Sequence, residues 1–317
     1  MHEVKTIGIL TSGGDAPGMN AAIRAVVRTA LASGMKVKGI KRGYAGLLNN
    51  EIIDMNSRMV SEIARLGGTI LFTARCKEFE TREGQQKGAE ILRKHGIDGL
   101  IVIGGDGSFR GAQKLSALGI NTIGIPGTID LDINCTEYTI GFDTEVNTAM
   151  CDIDKIKDTS TSHERCSIIE VMGRNAGYIA LWCQMANGAD GILIPEKDAF
   201  KEQDLIDTIM HNRSKGKTHH VIINAEGVGH TNRLARRIEA AAGIETRATI
   251  LGHIQRGGSP TARDRVTAAT MGGYAVDLLH RGETNRVICL QGGRYLAFAI
   301  YEGLALDKTI DENKFLI

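Results

Sequence analysis

No stretch of this 317-residue chain approaches the roughly 20 consecutive apolar residues that cross a bilayer, so no membrane role is expected. The opening residues, Met1-His2-Glu3-Val4-Lys5, run into a short apolar segment and lack the long apolar core of a secretory leader. The six cysteines, Cys76, Cys135, Cys151, Cys166, Cys183 and Cys289, contain no C-x-x-C pair and no histidine spacing that reads as zinc. A reduced, cytoplasmic chain is therefore expected. Charge of one sign is also missing: 38 Lys and Arg stand against 37 Asp and Glu, a net charge of +1. Such a chain has no global field to draw it to nucleic acid or an anionic membrane, so any phosphate site must be local. Prolines number only 4, against 39 glycines, which points to many tight backbone turns rather than disorder.

What is present is alternation. Short β-branched runs at Thr6 to Leu10, Val37 to Ile40, Gly99 to Ile103, Thr122 to Ile125, Ser167 to Val171, Ile192 to Pro195, Val221 to Asn224 and Val287 to Leu290 are separated by other segments, several of them amphipathic. Helices are expected at Gly18 to Ala32, Glu83 to His95, Glu202 to Arg213 and Arg263 to His280. Strand alternating with helix predicts the α/β class, with mostly parallel sheets covered on both faces. The length favours two domains. The first is expected at about 1–140 with a return at about 256–305, the second at about 141–255, with a tail at 306–317 packed near it.

In such sheets ligands collect beyond the carboxyl ends of strands. After the first strand comes Thr11-Ser12-Gly13-Gly14-Asp15-Ala16-Pro17-Gly18-Met19-Asn20, and after another Gly104-Gly105-Asp106-Gly107-Ser108. Glycine lets backbone approach a phosphate closely, and a helix N-terminus supplies free N–H groups. Asp106 inside the second turn would repel phosphate unless a metal lies between, so it reads as a Mg²⁺ ligand. Taken singly, either turn is also what capping alone demands. The Walker A pattern fails, because His211 stands where Gly216-Lys217-Thr218 requires a first glycine. Gly105-x-Gly107-x-x-Arg110 likewise breaks the dinucleotide fingerprint.

Pro126-Gly127-Thr128-Ile129-Asp130-Leu131-Asp132 carries two aspartates two apart. In an extended segment they would project to one side, one toward a metal and the other accepting a proton from a hydroxyl. Downstream, Arg165, Arg174, Arg247 and Arg256 stand in glycine-flanked or polar clusters and offer planar donor forks for phosphate. The competing reading is ordinary solvated arginine.

Together these motifs, with Val171-Met172-Gly173-Arg174 and Leu251-Gly252-His253-Ile254-Gln255-Arg256-Gly257-Gly258-Ser259-Pro260, resemble the bacterial ATP-dependent 6-phosphofructokinase family from about Lys5 through Arg265. The resemblance implies two Rossmann-like three-layer αβα domains, the first binding ATP and the second fructose 6-phosphate. It implies that Gly14, Arg75, Cys76, Gly105, Asp106, Gly107 and Ser108 hold ATP, with Asp106 and Asp132 serving Mg²⁺. It implies that Thr128, Ile129, Asp130, Arg165, Met172, Gly173, Arg174, Glu226, Arg247, His253 and Arg256 hold fructose 6-phosphate. Asp130 would be the base, with Thr128, Arg75 and Arg174 completing the catalytic set. Arg165 and Arg247 would reach a neighbouring subunit's sugar phosphate, which implies a homotetramer. Arg24, Arg28, Lys157, Lys215, Lys217 and His219 match an effector pocket for ADP or phosphoenolpyruvate.

Departures from the family pattern are Leu131 in place of asparagine, Asn175 and Tyr178 after the Met-Gly-Arg motif, and the Gly292 to Ala297 stretch. Glu51 and Lys157 replace effector-contacting arginines of some relatives, which predicts weaker effector control. Pyrophosphate-dependent relatives typically carry aspartate at Gly107 and lysine at Gly127; glycine at both favours ATP. Leu131 leaves open a divergent paralogue with reduced activity or another sugar-phosphate acceptor; a non-catalytic sugar-phosphate sensor is a further alternative, and Asp106, Asp130 and Asp132 speak against it.

Overall fold

The computed structural model describes residues 4–196 and 202–310. The strands are Thr6–Ser12 (β1), Lys36–Ile40 (β2), Ile52–Met55 (β3), Gly99–Gly104 (β4), Asn121–Pro126 (β5), Cys166–Val171 (β6), Gly191–Leu193 (β7), His220–Ala225 (β8), Thr246–Ile250 (β9), Arg286–Gln291 (β10) and Arg294–Ala299 (β11). The α-helices are Met19–Ala32 (α1), Gly43–Leu48 (α2), Arg82–Lys94 (α3), Asp106–Ala117 (α4), Phe142–His163 (α5), Tyr178–Asn187 (α6), Glu202–Ser214 (α7), Thr231–Ala242 (α8), Ala262–His280 (α9) and Ile300–Ala305 (α10). The α/β class is as expected.

Two compact units form. One comprises residues 4–129, 133–144 and 256–308, and the other 130–132, 145–196, 202–255 and 309–310. Of the expected tail at 306–317, residues 311–317 lie outside the described residues.

The first unit is built on a seven-stranded sheet ordered β11-β10-β5-β4-β1-β2-β3. Its centre is parallel, while β2 with β3 and β10 with β11 pair antiparallel at the edges. Every residue of β1 and β4 is buried, as expected of central strands whose two faces are both covered by helices. α1 buries Met19, Ala22, Ile23, Val26, Val27 and Ala30, one stripe at helical spacing. α9 packs on it at Gly272, where a Cβ would stand 2.7 Å from that of Ala25, so only glycine permits this crossing.

The second unit holds a four-stranded parallel sheet, β7-β8-β6-β9. α8 buries Leu234, Ala235, Ile238 and Ala242 on one stripe and ends at Gly243 in the left-handed conformation. Its core joins Cys166, Ile168, Ile209 and Ile222 to that stripe. Truncating fully buried Ile238 to alanine would cost about 2–5 kcal/mol.

Candidate active site

In the first unit β1 has β4 on one side and β2 on the other. That reversal of direction opens a crevice at the carboxyl ends of β1 and β4. Ser12 is the register partner of Gly104, and Gly104 of Pro126. Three of the singled-out segments therefore leave the sheet side by side at one level. A Cβ at Gly104 would lie 2.4 Å from the Ser12 carbonyl oxygen, so glycine is obligatory for the first two turns to meet. Gly105 and Gly107, in contrast, face open space.

Asp106 is the first residue of α4, and its Oδ1 accepts the Gly107 N–H at 2.7 Å. Its Oδ2 stands 3.7 Å from Arg110 Nη2. Ser108 is buried one turn in, and its carbonyl accepts the Tyr44 hydroxyl at 2.6 Å. Tyr44 in turn stacks on Phe79 with centroids 4.0 Å apart. The Arg256 guanidinium donates to the Asp15 carbonyl at 3.2 Å, and its Nη1 lies 2.6 Å from where a Gly14 Cβ would be. Glycine turns and a helix N-terminus thus form a cradle suited to polyphosphate, with Arg256 beside its first turn.

Asn20 explains the end of the first motif. Its side-chain nitrogen donates to the Leu66 and Gly67 carbonyls and its oxygen accepts the Ile70 N–H at 2.8 Å. The Thr73 hydroxyl donates to the Gly13 carbonyl at 2.6 Å, and that of Thr11 to the Phe72 carbonyl at 2.8 Å. These bonds tie the segment that carries exposed Arg75 and half-buried Cys76 to the first turn. Thr128 is half-buried, and Ile129 is fully buried and offers a ligand only its backbone.

The aspartate pair needs a correction. Leu131 has φ 56° and is buried, so Asp130-Leu131-Asp132 is not extended, and alternation cannot place both carboxylates on one side. A left-handed leucine costs roughly 1–2 kcal/mol, since its Cβ crowds the next carbonyl. Asp130 is 7% exposed. Asp132 Oδ2 lies 3.8 Å from Arg174 Nη1.

At the carboxyl end of β6 in the second unit, Met172, Gly173 and Arg174 make a tight loop. Gly173 has φ 136° and Arg174 φ 56°. The Arg174 N–H donates to Glu226, which follows β8, and Met172 N–H donates to Gln255 Oε1 at 3.0 Å. Tyr178 beyond the loop stays protonated: burial, then the charges of Glu196 and Asp132, push its hydroxyl up to about 12. His253 is exposed on the Gly252–Arg256 turn.

Arg165 and Arg247 lie elsewhere. Arg165 immediately precedes β6, and Arg247 is the second residue of β9. Both pair with Glu245, Arg165 Nε at 2.8 Å from Oε2 and Arg247 Nη2 at 2.5 Å from Oε1. Arg165 first, then Arg247, holds the Glu245 carboxyl below its ordinary range. This trio occupies the amino ends of the strands, about 20 Å of strand from Met172.

Lys215, Lys217 and His219 precede β8 at that same edge. Lys217 pairs with Asp190, whose other oxygen accepts the Val221 N–H at 2.9 Å. Lys157 caps the Asn187 carbonyl at 2.7 Å. Arg24 and Arg28 are one turn apart on α1 in the first unit, and there Glu51 pairs with Arg42.

Among the described residues no three His, Cys, Asp or Glu side chains gather as a metal cage, nor is any helix long and apolar enough to cross a membrane. Mg²⁺ is ordinarily held by one or two carboxylates plus substrate phosphates and water. Asp106, partly exposed beside the cradle, fits that donor set.

The fold and its paired glycine turns define an α/β protein with a crevice suited to phosphate groups. Residues 6–279 match the family model described as "Phosphofructokinase", and the chain belongs to that family. It is 57% identical over 312 residues, 98% of either chain, to the ATP-dependent 6-phosphofructokinase of Clostridium botulinum (strain Hall). Two solved structures are similar. Phosphofructokinase from Saccharomyces cerevisiae has a TM-score of 0.87 at 36% identity, over 95% of this chain and 45% of that one. Pichia pastoris phosphofructokinase in the T-state has 0.90 at 34%, over 96% and 36%.

Proposed function

We infer that the chain is an ATP-dependent 6-phosphofructokinase that moves the γ-phosphoryl group of ATP onto the 1-hydroxyl of fructose 6-phosphate. The observation that carries this is the 57% identity, along 98% of both chains, to a protein of that name. The glycine turns in register at the switch point agree with it. The first unit takes ATP on Gly14, Arg75, Cys76 and Gly105 to Ser108. A magnesium ion on Asp106 would neutralise phosphate charge. The second unit takes the sugar phosphate on Met172, Gly173, Arg174, Glu226 and His253; Thr128, Ile129 and Arg256, in the first unit, are the remaining residues assigned to that substrate.

Asp130 accepts the proton of the attacking 1-hydroxyl. Its burial keeps water from screening the attraction between its carboxylate and that proton. Arg75 and Arg174 offset the charge of the transferring group, because positioning and electrostatics carry most of such a reaction.

Arg165 and Arg247 support a shared site. They stand at the opposite sheet edge from Met172, so one sugar phosphate cannot meet both sets from a single chain, whereas a neighbouring copy in a homotetramer can supply them. The second unit's edge with Lys215 and His219 is our candidate for a weak ADP or phosphoenolpyruvate site; Arg24 and Arg28, on α1 of the first unit, are the other cations assigned to effector binding. Lys157 and Lys217, already bonded to Asn187 and Asp190, are its less available members.

A pyrophosphate donor is disfavoured by Gly107 and Gly127, where pyrophosphate-dependent relatives typically carry aspartate and lysine. Phosphorus NMR of the product tests the assignment. It should show two phosphomonoester signals of fructose 1,6-bisphosphate; a product phosphorylated elsewhere would reject the acceptor position.

A further inference from the structure

The strained Met172–Arg174 loop needs support from outside itself, since Gly173 and Arg174 both have positive φ. One anchor is the Gly173 carbonyl, which accepts the Ala176 N–H at 2.9 Å. A second is Glu226, which takes the Arg174 N–H. The third anchor is Gln255, the buried residue of its short turn, 0% exposed. Its side-chain oxygen accepts the Met172 N–H at 3.0 Å, and its side-chain nitrogen donates to Glu145, also 0% exposed.

An amide can turn either end toward a neighbour, but here the choice is forced. A backbone N–H requires the oxygen and a carboxylate requires the NH₂. Both partners demand the same orientation, and the charged hydrogen bond to Glu145 holds the Gln255 amide in it. All three residues, Met172, Gln255 and Glu145, belong to the same unit.

We propose that Gln255 and Glu145 are positioning residues for sugar-phosphate binding: Glu145 holds the Gln255 amide in place through a charged hydrogen bond, and that amide fixes the start of the Met172–Arg174 loop. The proposal rests on reading this loop as part of the fructose 6-phosphate site. Gln255 shares its turn with His253 and is followed by Arg256, so the same amide also registers a second segment carrying candidate ligand groups.

The test compares Q255E, E145Q and the double exchange E145Q/Q255E, measuring KM for each substrate together with melting temperature. Q255E sets two buried carboxylates face to face and should raise the fructose 6-phosphate KM about tenfold or more, with the ATP KM moved by less than about twofold. The exchange restores one amide and one carboxylate with their places reversed. The carboxylate introduced by Q255E can still accept the Met172 N–H, while the amide introduced by E145Q donates to that carboxylate. The fructose 6-phosphate KM of the double variant should therefore return to within about threefold of the parent. E145Q alone keeps the shape and an acceptor oxygen but removes the charge from the hydrogen bond that holds the Gln255 amide, and should raise that KM by about threefold.

An exchange variant no better than Q255E, or both KM values moving together, would overturn the proposal. If Q255E does not fold, an unchanged fructose 6-phosphate KM in E145Q does the same. Absence of fructose 6-phosphate turnover by the parent would instead refute the functional reading on which the proposal rests.

Discussion

Glu245 Oε2 sits 2.8 Å from Arg165 Nε, and the same carboxylate takes Arg247 through its other oxygen. One acid therefore spaces two guanidinium groups at the amino edge of the second unit's sheet. Each arginine retains further N–H donors, since a guanidinium has five. Arg165→Ala or Arg247→Ala should raise the fructose 6-phosphate KM by about 10- to 100-fold, the worth of a charged hydrogen bond, and leave the ATP KM nearly unchanged. Glu245→Ala should raise it by a smaller factor, because the charges remain but are no longer held apart. Equal effects on both substrates would place the arginines outside the sugar-phosphate site. An active monomer in sedimentation would reject the shared-site reading.

Asp130→Ser should lower kcat by about 10²–10⁴, with both KM values comparatively intact, because a base acts mainly in the transition state. Steady-state kinetics on the purified variant decides it. Activity within a few fold of the parent would remove Asp130 from the proton transfer.

The glycines separate structure from binding. At Gly104 an added Cβ meets the Ser12 carbonyl oxygen at 2.4 Å, so Gly104→Ala should lower the melting temperature and damage ATP binding together. At Gly107 nothing lies within 4 Å of the new atom. Gly107→Ala should melt like the parent and still raise the ATP KM, because the open space is where we place the nucleotide. Unchanged ATP kinetics in Gly107→Ala would place the nucleotide elsewhere.

His220 gives a pH prediction. Its ring is fully buried at the start of β8, with Nδ1 3.8 Å from Asp190. Burial pulls its pKa below the ordinary value, helped by Lys217, His219 and Arg213 and opposed by Asp190. A group whose folded pKa is lowered binds its proton more readily when unfolded. Its contribution to stability is therefore complete above about pH 6.5 and is lost as pH falls through the folded value. The melting temperature should fall between pH 7.5 and 5, and His220→Leu should flatten that fall. An identical slope in the variant would show that other groups govern it.

Much of this was legible in the chain because the informative segments obey simple rules. β4 is an unbroken apolar run and β1 has an apolar centre, Ile7 to Leu10, and the turns after them are rich in glycine, so both the class and the crevice could be anticipated. Three strands were not: β3, with Asp54 facing solvent, and β9 and β11, whose residues are mostly partly exposed or exposed. Edge strands lack the two-faced burial that makes a run conspicuous.

At the site, Asn20, Glu245 and Gln255 carried no signal of their own, because each acts by bonding a segment distant in sequence or a neighbour whose role the fold decides. The motif spacing suggested an extended Asp130-Leu131-Asp132, but Leu131 adopts a left-handed backbone that its residue type disfavours. Only tertiary context imposes such a conformation.

The donor assay tests the central claim most directly. The purified chain is given fructose 6-phosphate and magnesium with either ATP or pyrophosphate, and formation of fructose 1,6-bisphosphate is followed through a coupled aldolase reaction. The account predicts turnover with ATP and none above background with pyrophosphate; turnover with pyrophosphate, or none with ATP, would contradict it.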